Sequence, residues 1–274
     1  MRLKILGSAA AEGFPGFWCS CEFCNKAREL GGKNIRRRSA YLLDEDTLVD
    51  CGPDMNWQMN EFGIDPRNIE RLLITHSHSD HLCADQFYLR SARFSHVPRT
   101  LKVFGNAESL RRINEETYEP GFDMFMDMRA ITHGDVFTDG DLTVTAIPAV
   151  HIKSEPCFNF VLSRHGKSAL IASDTGWWSA EGWALAAQFK FNVVVLECTF
   201  GLMAEGSDAN SGHMGCYSTL KFRDELARLG ALAEGCRVAA NHYSHNAWPL
   251  QHELDEFYRG TGIEAGYDGM TIEV

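Results

Sequence analysis

Thr75-His76-Ser77-His78-Ser79-Asp80-His81 places three imidazoles and a carboxylate within six residues, at the end of the strand-like run Leu72 to Thr75. His76 and His78 are two apart, so an extended backbone points both side chains to the same side. Asp80 and His81 follow where the chain is expected to turn toward a helix. Packing does not account for four potential ligands at this density, whereas a lone histidine would read as part of a polar surface loop. Imidazole and carboxylate together suit Zn, Mn or Fe, and the spacing can serve two adjacent ions.

Working outward, short apolar runs predict strands at Leu3 to Leu6, Ala40 to Leu43, Thr47 to Asp50 and Leu72 to Thr75. Further strands are predicted at Leu101 to Phe104, Leu142 to Ile147, Phe158 to Leu162, Ser168 to Ala172, Val193 to Leu196 and Arg237 to Ala240. Helical patterning falls near Pro53 to Phe62, Ala107 to Glu116, Ala180 to Gln188, Thr219 to Leu229 and Leu250 to Tyr258. Hairpin strands come first, and strands then alternate with helices. That order predicts an α/β architecture, a pair of sheets covered by helices on their outer faces. No linker composition or repeat appears, so residues 1–274 are expected to form a single domain.

His76-Ser77-His78-Ser79-Asp80-His81 resembles the H-x-H-x-D-H signature of metallo-β-lactamase-fold hydrolases. The resemblance implies a four-layer αββα sandwich with a dinuclear metal site at one edge. It also implies three later ligands. His151, after the run Leu142 to Pro148, matches the third ligand of a first metal beside His76 and His78. Asp174, in Ile171-Ala172-Ser173-Asp174-Thr175-Gly176, matches the bridging aspartate. His242, after Val238-Ala239-Ala240-Asn241, matches the last histidine of a second metal that also takes Asp80 and His81. Asp50 resembles a family acid that orients a ligand histidine, and a strand-end turn acid is its plainer reading.

A second cluster lies near the start. Cys19-Ser20-Cys21-Glu22-Phe23-Cys24 holds three thiols in a Gly-, Pro- and aromatic-rich loop. Its C-x-C-x2-C spacing fits one structural Zn with a fourth ligand, for which His245 is the best candidate. A redox-active or merely buried cysteine cluster is the alternative. The pattern is similar to the branch containing the phosphoribosyl 1,2-cyclic phosphate phosphodiesterase of the carbon–phosphorus lyase pathway. That branch combines the dinuclear site with a Cys3His zinc site. The opening Gly7-Ser8-Ala9-Ala10-Ala11-Glu12-Gly13-Phe14-Pro15 also resembles the pyrroloquinoline quinone biosynthesis protein B group, which tends to lose dinuclear ligands. All seven are present in this chain, which favours a hydrolase.

Glu197, in Val195-Leu196-Glu197-Cys198-Thr199-Phe200, and His213, in Ser211-Gly212-His213-Met214-Gly215, resemble a paired acid and histidine of the phosphodiesterase and tRNA 3′-processing branches. There the histidine faces the scissile phosphate or protonates the leaving oxygen, which a carboxylate neighbour assists by raising its pKa. A buried strand-end Glu and a helix-capping His are the plainer readings. With Asp80, Glu197 and His213 as catalytic residues and Zn or Mn at the paired site, a hydroxide bridging the ions is expected to attack a small, cyclic phosphodiester.

Composition sets the remaining bounds. A formal net charge of −11 argues against broad nucleic-acid binding, which depends on Lys and Arg. A tRNA-docking arm is sought at residues 117–135, but Glu119, Asp123, Asp127 and Asp135 make that stretch acidic. Arg36-Arg37-Arg38, the one dense basic run, reads as a solvated face or as a phosphate grip. The expected partner is therefore a small substrate, with no membrane and with a homodimer left open. Met1 to Leu6 meets Gly, Ala and Glu before any long apolar stretch, and nine cysteines suit reduced thiols, so a cytoplasmic location is expected. His96, His133, His165 and His252, and the six cysteines outside the cluster, are read as surface, turn or packing residues. Trp177, Trp178 and Trp183 are read as core.

Overall fold

In the computed structural model, residues 1–118, 121, 123–203 and 212–274 are described. Glu119 of the acidic stretch and Ser211 before Gly212-His213 lie outside them. Strands whose successive side chains point to opposite faces build two seven-stranded mixed sheets. The first contains β1 (Arg2–Gly7), β2 (Ala40–Leu43), β3 (Thr47–Val49), β4 (Arg71–Leu73), β5 (Leu101–Gly105), β6 (Met126–Ala130) and β14 (Thr271–Glu273), in the order β14-β1-β2-β3-β4-β5-β6. The second contains β7 (Val136–Asp139), β8 (Leu142–Pro148), β9 (Phe158–Arg164), β10 (Lys167–Ala172), β11 (Phe191–Glu197), β12 (Leu232–Asn241) and β13 (Ile263–Ala265), in the order β13-β12-β11-β10-β9-β8-β7.

The alternation along β11 shows how the layers arise. Val193 and Val195 face the core between the sheets, with Leu3, Ile5, Phe158 and Phe160. Val194 and Leu196 face outward, onto Ala186 of α4 (Ala180–Ala186), Phe222 of α5 (Cys216–Arg228) and Leu254 of α6 (Gln251–Tyr258). On the other side, Leu72, Ile74 and Val103 meet Met55 and Met59 of α2 (Met55–Glu61) and Leu110 and Ile113 of α3 (Ala107–Thr117). Helix, sheet, sheet and helix stack in turn, giving the expected αββα sandwich. Each fully buried Val, Leu, Ile or Phe contributes roughly 1.5–3 kcal/mol. These three apolar layers can therefore support a polar, strained site at one edge.

Strand direction puts that site where it is. β3, β4 and β5 pair in parallel, as do β10, β11 and β12. β8 opposes β9, which opposes β10, so β8 runs with β10. The loops leaving β3, β4, β8, β10, β11 and β12 carry Asp50, Thr75 to His81, His151, Asp174, Thr199 and His242.

The ten expected strands are present with small shifts of boundary, and four more appear: β6, β7, β13 and β14. These four are the outermost strands of the two sheets. β6 places part of the acidic stretch in a sheet beside β5, not in a protruding arm. The cysteine stretch is a loop only at first, because α1 (Glu22–Leu30) begins inside it and carries Cys24. Arg36 is buried and donates to Ser8, Gly266 and Gln251, Arg37 stacks on Trp57, and Arg38 pairs with Asp54. The basic run is thus built into the structure and is not a solvated face. Among the described residues, no helix is long and apolar enough to cross a membrane.

Candidate metal centre

Two groups of side chains meet at the strand-end edge and share one carboxylate. His76, His78, His151 and Asp174 form the first, and Asp80, His81, His242 and Asp174 form the second; within each, the donor atoms lie within 4.8 Å of one another. Asp174 Oδ2 faces the first group, 3.8 Å from His76 Nε2 and 3.7 Å from His151 Nε2. Its Oδ1 faces the second, 3.2 Å from His81 Nε2 and 2.9 Å from His242 Nε2. Asp80 Oδ2 lies 3.2 Å from His81 Nε2. The carboxylate at the end of β10 is therefore placed between the two halves.

Outer partners fix which nitrogen of each ring points inward. Asp50 Oδ2 is 2.7 Å from His81 Nδ1, and a carboxylate only accepts, so Nδ1 carries the proton and Nε2 turns its lone pair to the site. Asp50 is held in turn by the Thr75 amide and hydroxyl. His151 Nδ1 lies 3.2 Å from the Gly212 carbonyl, which fixes it the same way. Thr199 has a double role that the sequence did not signal. Its hydroxyl donates to Glu197 Oε2 at 2.7 Å, leaving its oxygen to accept from His242 Nδ1 at 2.9 Å and His213 Nδ1 at 3.1 Å. Both rings are thereby oriented by one hydroxyl. Ser77, between two of the histidines, is also clamped: Glu155 accepts from its amide and hydroxyl, and Arg112 donates to its carbonyl. An Asp50→Ala substitution is expected to weaken metal binding by about 10- to 100-fold, the usual effect of removing such a partner, as measured by competition with a chelator. Unchanged affinity would mean that Asp50 is only a turn acid.

The electrostatics express the crowding of charge. Burial pushes the Asp174 carboxyl up, but the His242 and His81 imidazoles more than reverse this and hold it well below the usual range. Burial lowers His242, and Asp174 lifts it to about 10. His76 is driven well below its ordinary value by burial and by His81, so it stays neutral. Its Nε2 is buried without a hydrogen-bond partner. Such an orphaned nitrogen is costly unless something else takes its lone pair. Asp50, Asp174 and His242 all adopt positive φ, at 64°, 48° and 61°. Strain of that kind costs about 1–3 kcal/mol per residue and collects at functional sites.

Beside this centre stands Glu197, fully buried at the end of β11, with Oε1 3.5 Å from His213 Nδ1. Burial lowers the His213 imidazole and Glu197 more than offsets that, holding it above its ordinary value. Further along, Cys19, Cys21, Cys24 and His245 form a third cluster with donor atoms within 4.8 Å. Cys21 caps α1, and although burial works against it, the Cys24 amide and the surrounding thiols and imidazole draw its thiol down to about 7. A Cβ on Gly16 would meet Cys19 and His245 at 3.2 Å, so glycine allows the loop to close over the cluster. Trp178 packs on Phe222 and also donates to Asn159, which holds the Ser173 carbonyl next to Asp174. His96, His133, His165 and His252 are exposed, as read from sequence.

The family model described as "Beta-lactamase superfamily domain" matches residues 46–236. A ribonuclease BN from Cronobacter sakazakii is 31% identical over 131 residues, covering 45% of this chain and 41% of that protein. The chain thus spans under half the length of this curated relative. A solved diphosphatase from the PhnP family superposes over 100% of this chain and 97% of its own, with TM-score 0.74 and 20% identity. Zn(2+)-bound PqqB from Methylobacterium extorquens covers 100% of both chains, with TM-score 0.76 and 16% identity. At those identities the two structures speak for the fold alone. A relative named as a ribonuclease gives no support to the expectation that nucleic acid is excluded.

Proposed function

The chain belongs to the β-lactamase superfamily, and we propose that it is a metal-dependent phosphodiesterase that opens a small, cyclic phosphodiester. The observation that carries this reading is His213, an imidazole raised by buried Glu197 and held through Thr199 beside His242. A protonated imidazole at that place suits a reaction whose leaving group is a poor alkoxide.

The donor set fits two divalent ions, Zn or Mn. His76, His78 and His151 would hold one, Asp80, His81 and His242 the other, with Asp174 between them, and the unpartnered Nε2 of buried His76 is the kind of atom a metal satisfies. Such a pair supplies charge neutralisation at the phosphoryl group and a water made acidic enough to act as nucleophile at neutral pH. The chain's own groups do the rest. Asp50 and Thr199 hold the Nδ1 side of the His81 and His242 rings, so that Nε2 of each faces the site, and Glu197 holds His213 above its ordinary value. His213 passes its proton to the departing oxygen, leaving a phosphomonoester and an alcohol. The cluster Cys19, Cys21, Cys24 and His245 suits one closed structural Zn. Residues of both sheets close the one centre, which supports reading 1–274 as a single catalytic domain.

A second reading, cleavage of RNA, is favoured by the ribonuclease relative. The test is to load the chain with Mn or Zn, count bound metal and offer both a small cyclic phosphodiester and a tRNA precursor. Three ions per chain and turnover of the small substrate are expected. Cleavage of the RNA alone would replace the proposal with the second reading.

A further inference from the structure

His151 and Glu155 ride on one loop, residues 149–157, between β8 and β9 of the second sheet. The Ala149 amide closes the base of that loop on the Cys157 carbonyl at 2.9 Å. Glu155 is buried, and its carboxylate reaches the turn that follows β4 of the first sheet. Oε1 accepts from the Ser77 hydroxyl at 2.6 Å and from the Ser77 amide at 3.3 Å, between His76 and His78. Oε2 accepts from Asn106 Nδ2 at 2.6 Å. Other partners fix the orientation of that side-chain amide. Asn106 Oδ1 accepts from the Ser109 amide at 2.7 Å, and Nδ2 also donates to the Pro156 carbonyl at 2.7 Å. The Ser77 amide and Asn106 Nδ2 can only donate, so both oxygens of Glu155 serve as acceptors. Arg112 of α3 completes the clamp by donating to the Ser77 carbonyl at 2.8 Å.

We infer that Glu155 is a positioning residue for the first ion alone, holding His151 in register with His76 and His78 across the two sheets. The inference rests on the paired-ion reading and adds which side chain sets the spacing of one half. His76 and His78 follow β4 of the first sheet, and His151 follows β8 of the second, so no single strand fixes the distance between them. The rings nevertheless meet closely, with His151 Nε2 3.2 Å from His78 Nδ1. A donor set works only when held to within about 0.5 Å of its productive geometry. The Gly212 carbonyl sets the rotation of the His151 ring, whereas Glu155 sets the place of its loop. The second half has supports of its own, because Asp50 orients His81 and Thr199 orients His242. Loss of the Glu155 clamp should therefore weaken one ion and spare the other. Glutamine is the informative replacement. It keeps the shape of the side chain but must turn an NH2 toward Ser77 or Asn106, where an N–H already points.

Metal affinity in two backgrounds tests this independently of turnover. The full chain is titrated calorimetrically with Mn, which reports on the paired centre because the thiolate cluster favours softer ions. His242→Ala leaves the first half with all its histidines, and His151→Ala leaves the second half with all of its own. Adding Glu155→Gln is expected to weaken Mn binding about 10- to 100-fold in the first background and to leave it unchanged in the second. Cooperative thermal unfolding checks the fold of each variant. Ser77→Ala, a milder change that removes one donor, is expected to show the same selectivity in weaker form, and it decides the matter if Glu155→Gln does not fold. Equal losses in both backgrounds would make Glu155 a general stabiliser, and no loss in either would make it a bystander; each overturns the inference. Absence of Mn binding in both parent backgrounds would overturn the paired-ion reading and the inference with it. If Mn binds with the expected selectivity but no phosphodiester is hydrolysed, the catalytic reading fails and the role of Glu155 stands.

Discussion

Asp174→Asn is expected to strip both ions from the paired centre and to lower phosphodiester turnover by about 10³-fold or more. Removing a single preorganised electrostatic group at an active site costs about 10²–10³ in rate, and this carboxylate faces both halves. Oδ1 approaches His81 and His242, and Oδ2 approaches His76 and His151. Asparagine is the informative choice, because Asp174 sits at φ 48° and asparagine tolerates that region while carrying no charge. A backbone effect is thereby separated from an electrostatic one. Elemental analysis should show the cysteine-site metal retained and the other two lost. A variant that keeps all its metal and activity would remove Asp174 from the centre altogether.

The same site shows what a linear sequence can carry. Candidate ligands close together in the chain stand out because their density has no packing explanation, as in His76 to His81. That His151, Asp174 and His242 gather beside them is suggested only by family resemblance, since each is a lone residue after a strand. Thr199, Glu155 and Arg112 were invisible. A threonine hydroxyl is generic until the fold brings Glu197, His213 and His242 around it. The interior strands of both sheets could be read because burial on two faces gives near-continuous apolar runs, as in Phe191–Glu197. The four edge strands could not. Met126–Ala130 is mostly half-buried or exposed, and Val136–Asp139 buries only Phe137. Pairing on one side alone leaves the other side to water, so polar residues interrupt the pattern. Arg36 departs from the solvated-face alternative for a related reason: composition suggests a surface residue, and the hydrogen bonds to Ser8, Gly266 and Gln251 explain its burial.

His213→Ala separates proton donation from metal chemistry. Loss of a positioned general acid typically costs about 10²–10⁴ in rate, but only where the leaving group needs the proton. A cyclic ribose phosphate, whose alkoxide leaves poorly, is expected to show the full loss in kcat. An activated aryl phosphodiester, whose phenolate departs unaided, is expected to lose little. Metal content should be unchanged, because Thr199 still orients His242 through its own hydrogen bond. A Glu197→Gln variant should follow the same leaving-group pattern in weaker form, since it removes the charge that raises the imidazole. Equal losses on both substrates in His213→Ala would instead assign this residue to binding the phosphate, and the proton would have to come from elsewhere.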